Sequence, residues 1–97
     1  MSDDSLCKIL LEGDWSAMKK VIALKFIQTE KNNLDFINGH TKTNQLTPLM
    51  IASREGMIDI VSQLLLSLLE HKCDINQTDK RGNTALMHAA WEVMVQL

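Results

Sequence analysis

Three histidines, two cysteines and a serine beside a carboxylate are the side chains here with the chemistry to ligate or to attack. His71-x-Cys73 together with His40, His88 and Cys7 offers the nitrogen and sulfur donors that zinc takes. The spacing argues against a site. The chain has no Cys-x-x-Cys and no His-x-x-x-His, and these five residues fall on different expected elements. His88 sits in an alanine-rich stretch and reads as a satisfied core or surface histidine. Ser53 lies close to Glu55, but no histidine is placed to take its proton. Gly-x-Ser-x-Gly, a phosphate-cradling glycine loop and paired carboxylates in an evident cleft are all missing from the sequence. The expectation is a protein that is not an enzyme and needs no cofactor or metal.

Composition narrows the partners. The 97 residues fit one domain, and a 45% apolar share is enough to build a core. A formal net charge of -2 speaks against a nucleic-acid or acidic-membrane binder, since both need a basic surface. A DNA-reading helix-turn-helix can be drawn over Ala52-x-x-x-Gly56 and the apolar run after it. However, Ile58 to Leu69 contains no Lys or Arg to meet phosphates. Lys19, Lys20 and Lys25 read as a solvated helix face rather than a binding patch. Two cysteines are too few for a disulfide scaffold, no signal pattern follows Met1-Ser2-Asp3-Asp4, and Leu64–Leu69 is too short to span a bilayer. The expected setting is soluble and cytoplasmic, with the nucleus also open to it.

The elements that must carry these residues are helices. Thr47 can cap a helix, Pro48 suits its first position, and Leu49 and Ala52 share one face. Gly56 can stop it, and Ile58, Val61, Leu64, Leu65, Leu68 and Leu69 give the apolar stripe of a second helix running to about His71. Upstream, Asp4 or Ser5 caps a short helix with Leu6, Ile9 and Leu10, which Gly13 ends. A further helix is expected from about Trp15 to Gln28, with Trp15, Met18, Val21, Ile22, Leu24 and Phe26 as its apolar set. Leu34–Asn38 is a short apolar return onto the core, and Gly39–Gln45 an exposed tip. Lys72–Asn76 repeats the return, 77–83 repeats the tip, and Thr84 opens the same helix again. Over positions 47–60 and 84–97, six of fourteen residues are identical at an offset of 37, where chance would give about one in fifteen.

The repeating unit resembles the ankyrin repeat. Thr47-Pro48-Leu49-Met50-Ile51-Ala52 resembles the family's Thr-Pro-Leu-His-x-Ala, with Met50 in the histidine position. Gly56-Met57-Ile58-Asp59-Ile60-Val61 resembles its Gly-His-x-x-Ile-Val step, and Lys72-Cys73-Asp74-Ile75-Asn76 its Gly-Ala-Asp-Val-Asn return. Asp79 and Gly82 stand at the finger spacing before Thr84. Cys73 then holds a small buried alanine's place. The departures are four extra residues between Val61 and Lys72, no glycine at Gln45 or Lys72, and Val93 at the third hinge.

The resemblance implies an all-α solenoid of stacked helix-turn-helix units with turn-rich fingers. Residues 1–38 make a divergent first unit, 39–76 a complete repeat and 77–97 a truncated one. It also implies protein binding on the concave side. Carried over by position, that selects Thr43, Asn44 and Leu46 with Arg54 and Glu55, then Lys80, Arg81 and Asn83 with Trp91 and Glu92. Tips are exposed in any fold; as a set these gain weight because Arg and Trp are enriched where binding energy concentrates. The last helix, with Leu86, Met87, Ala89, Ala90, Trp91, Val93, Met94 and Leu97, has no second helix in the sequence to cover it. Self-association through that end, or a place in a longer regulatory array, is the alternative expectation.

Overall fold

Helices alone make up the regular structure of the computed structural model, which describes residues 5–11 and 17–96. They are α1 (Ser5–Leu11), α2 (Ala17–Thr29), α3 (Leu34–Asn38), α4 (Pro48–Arg54), α5 (Ile58–Glu70) and α6 (Ala85–Gln96). α4 has α1 and α6 as neighbours in one row, while α5 backs α4 and packs along α2. α3 fills the corner among α1, α4 and α5. The caps expected at Asp4, the stop at Gly13, the start at Trp15 and the end at Leu97 lie outside the described residues, as do the side chains of Met18, Lys19 and Lys20.

The central helix pair forms as its residues dictate. Thr47 Oγ1 accepts the Met50 N–H at 3.3 Å, and Met50 Sδ receives the Thr47 N–H at 3.5 Å, so two of the orphan donors at the helix start are engaged. The end closes with two crossed bonds, Met57 N–H to Ala52 O at 3.0 Å and Gly56 N–H to Ser53 O at 3.2 Å. That pairing requires a left-handed residue, and Gly56 has φ 71°. A Cβ there would meet nothing within 4 Å, so backbone conformation rather than space calls for glycine.

The same closure ends α5 without a glycine. Cys73 N–H bonds Leu68 O at 2.9 Å and Lys72 N–H bonds Leu69 O at 3.1 Å, with Lys72 at φ 56°. Gln45, at the register of Gly82, is left-handed too, at φ 57° against 83°. The turns at Lys72 and Gln45 therefore keep the left-handed conformation, with side chains that disfavour it. Lys72→Gly is expected to stabilise the chain by up to about 1 kcal/mol, the relief of left-handed strain less glycine's entropy in the unfolded chain. Urea denaturation measures it; an unmoved midpoint would mean the strain is already relieved.

Two apolar stripes differ from the sequence reading. On α5 the buried residues are Ile60, Leu64, Ser67 and Leu68, with Val61 and Leu65 half-buried, whereas Ile58 is 77% and Leu69 57% exposed. On α2 the inward residues are Ala23 and Ile27, flanked by half-buried Leu24, and Val21, Ile22 and Phe26 face outward. Both helices carry apolar residues on several faces, so spacing alone cannot choose the buried one. The neighbours choose it: small Ala23, one turn from Ile27, suits a close approach of α2 to its neighbour. Phe26 is partly sheltered by Phe36, with ring centroids 6.4 Å apart.

The first return is a short helix, α3. Asn33 Oδ1 caps it by accepting the Phe36 N–H at 3.3 Å, and Ile37 is fully buried. The second return has no such cap and stays a turn, with Asp74 Oδ1 accepting the Asn76 N–H at 2.8 Å.

Candidate functional site

Two fingers precede α4 and α6, and the backbone ties them together. The first closes through Thr41 N–H to Leu46 O at 2.9 Å, with Thr41 Oγ1 accepting the Leu46 N–H at 3.0 Å. The second closes through Asp79 N–H to Asn83 O at 2.9 Å, and Asp79 Oδ1 accepts the N–H groups of Arg81 and Asn83, each at 2.9 Å. The first closing pair thus spans one more residue than the second. Lys80 N–H then donates to Asn44 O at 2.9 Å, strapping one finger to the other through main-chain atoms.

Asp79 is the hub. It is only 8% exposed, and its other oxygen, Oδ2, lies 2.9 Å from His88 Nε2 on α6. Burial by itself raises the pKa of this carboxyl. The Asn83 amide, the His88 ring, the Arg81 amide and the charge on His88 together outweigh it and hold the group below the usual carboxylate range.

These contacts shape a cleft of about 250 Å³, open to solvent and lined by Asn44, Leu46, Arg54, Asp79, Lys80, Arg81, Asn83 and His88. Six of the ten residues selected from the sequence meet here: Asn44, Leu46, Arg54, Lys80, Arg81 and Asn83. Leu46 is nearly buried and serves as wall rather than tip; its carbonyl lies 3.5 Å from the Cys7 thiol. Thr43 is exposed on the first finger, and Glu55 is exposed beside Arg54, with Oε2 3.3 Å from Nε. Trp91 and Glu92 do not line the cleft. Trp91 is 65% exposed and stands 37 residues after Arg54, at the same register on the next helix of the row; Glu92 is half-buried. Asp79 and His88 are the lining residues that the sequence reading did not select. Asp79 was legible from its finger spacing, but its partner nine residues on was not.

The other reactive side chains are dispersed. Cys7 is buried, its thiol donating towards Gly39 O at 3.3 Å, and Cys73 is half-buried. His71 Nε2 is 3.2 Å from Lys31 O, and His40 Nδ1 is 3.2 Å from Thr41 O. Ser53 is packed within α4. Among the described residues no three His, Cys, Asp or Glu side chains converge, and no helix is long and apolar enough to cross a membrane.

The match to known families agrees with this architecture. A model for ankyrin repeats, in three copies, matches residues 2–96. No curated protein matches the chain.

Proposed function

The chain belongs to the ankyrin repeat family, and from that premise we propose that it is a non-catalytic scaffold that holds a partner protein on its fingers and the adjoining α4–α6 surface. Proteins of this family generally bind other proteins. The observation that carries the reading here is convergence: residues from both fingers and from α4 line one cleft. Main-chain bonds fix the cleft's shape, so a partner meets a surface that is already ordered and loses little entropy in ordering it.

Charge reversal at Lys80 and Arg81 is the direct test. Both side chains are exposed, and the hydrogen bonds of this turn run through their backbone atoms, so K80E/R81E leaves helicity unchanged. The expected result is that a partner protein captured from cell extract by the wild-type chain, and then identified, is lost with the variant. Equal capture by both chains would rule out this surface.

The bare side of α6 favours a second reading, self-association. Leu86, Met87, Val93, Met94 and Val95 are 52–77% exposed there. Under that reading the same capture recovers only a differently tagged copy of the chain, and K80E/R81E makes no difference.

A further inference from the structure

We infer that the segment held in the finger cleft is acidic, presenting carboxylate side chains to Arg54, Lys80 and Arg81. The inference rests on the reading of this surface as the partner-binding one and names the partner's chemistry.

Three cationic side chains line one cleft in a chain whose net charge is -2, so the positive charge here reflects placement rather than composition. The single carboxylate among the lining residues, Asp79, is nearly buried and already engaged by two backbone N–H groups and His88. Its charge offsets one of the three cations, and neither of its oxygens is within ion-pair distance of Lys80 or Arg81, so the lining stays positive. Neither Lys80 nor Arg81 has a carboxylate within ion-pair distance among the described residues. Arg54 does have one, Glu55, but both side chains are more than a third exposed, and an ion pair in water holds weakly enough to be exchanged. A partner carboxylate is the natural competitor for it, since a guanidinium takes carboxylate oxygens in a paired geometry.

The surroundings fit peptide side chains better than a small molecule. At about 250 Å³ and open, the cleft is below the roughly 300–1,000 Å³ of small-molecule sites. Asn44 and Asn83 border it with side-chain amides that can donate to or accept from a peptide backbone. Nucleic acid, with a phosphate at every step, is disfavoured by the overall negative charge and by an α5 that carries no Lys or Arg.

Selection from a random displayed-peptide library against the whole immobilised chain tests this directly and does not require the partner to be identified. The expected outcome is enrichment of peptides rich in Asp and Glu. Synthetic versions should bind K80E/R81E about tenfold or more weakly, lose affinity as salt rises, and bind K25E, altered on α2 away from the cleft, as they bind wild type. Enrichment of neutral or basic peptides that lose binding to W91A or R54A would overturn the acidic chemistry while leaving the binding surface in place. No enrichment, or peptides indifferent to all the finger and helix variants, would overturn both.

Discussion

Ile60→Ala is expected to remove about 2–5 kcal/mol of stability, the range for truncating a large aliphatic side chain in a packed core. Ile58→Ala, two residues away on the same helix, should change stability by no more than about 0.5 kcal/mol. The difference follows from burial alone: Ile60 is 1% exposed and Ile58 77%. Ile60 belongs to the same buried cluster as Leu64 and Leu68, on a helix that both backs α4 and packs along α2. Its loss therefore weakens the contacts between units as well as those within one. A chain of this size has roughly 5–15 kcal/mol to lose, so a loss at the upper end of the range for Ile60→Ala removes much of the stability. Urea titration followed by far-ultraviolet circular dichroism compares the two variants directly. If Ile58→Ala proved the more damaging, the buried face of α5 would be the one drawn from sequence spacing, and the packing described above would be wrong.

Asp79→Ala should cost about 1–3 kcal/mol, because it leaves the Asn83 N–H and the His88 ring without their acceptor in a largely buried place. Its pH dependence is the sharper signature. The folded carboxyl titrates below its ordinary value, so the stability it contributes is fully present above the unfolded pKa of about 3.9 and is lost as pH falls through the lower folded one. Wild type should weaken on that acid limb, and Asp79→Asn, which cannot ionise, should lose the part of the slope that Asp79 supplies. Identical acid limbs in the two proteins would show that Asp79 does not set it. The variant also loosens the second finger, so any ligand held by Lys80 and Arg81 should bind more weakly to Asp79→Ala even where the chain is fully folded.

How much of the fold and the cleft is legible in the sequence follows from how local each signal is. Thr47, Pro48 and Gly56 act within one turn of the chain, and the cap and the stop stand where those residues placed them. Turn-rich composition and the repeat offset of 37 located the fingers, and the positions carried over from the family resemblance put six selected residues in one cleft. The inward faces of α2 and α5 were legible only in part: Val61, Leu64, Leu65 and Leu68 of the α5 stripe pack inward while Ile58 and Leu69 do not, and on α2 Leu24 packs inward while Val21, Ile22 and Phe26 do not, because neighbours distant in sequence choose between faces. Left-handed Gln45 and Lys72 sit between these cases. The missing glycines pointed to turns that depart from the family's, yet both keep the left-handed conformation. The Asp79–His88 contact was hidden for another reason: it joins a finger to the first turn of the following helix, and the sequence suggests no preference for that pairing.

The strap between the fingers carries a consequence for how such a surface can change over time. Finger closure uses the Thr41 hydroxyl, the Asp79 carboxylate and main-chain atoms, and the strap itself runs from the Lys80 amide to the Asn44 carbonyl. None of these bonds uses the side chains at 43, 44, 80 or 81. Those four positions can be rewritten without redrawing the loops that carry them. Under the proposed function, shape and specificity would be stored in separate atoms, and a lineage could exchange one partner for another by point substitutions while the scaffold stayed the same.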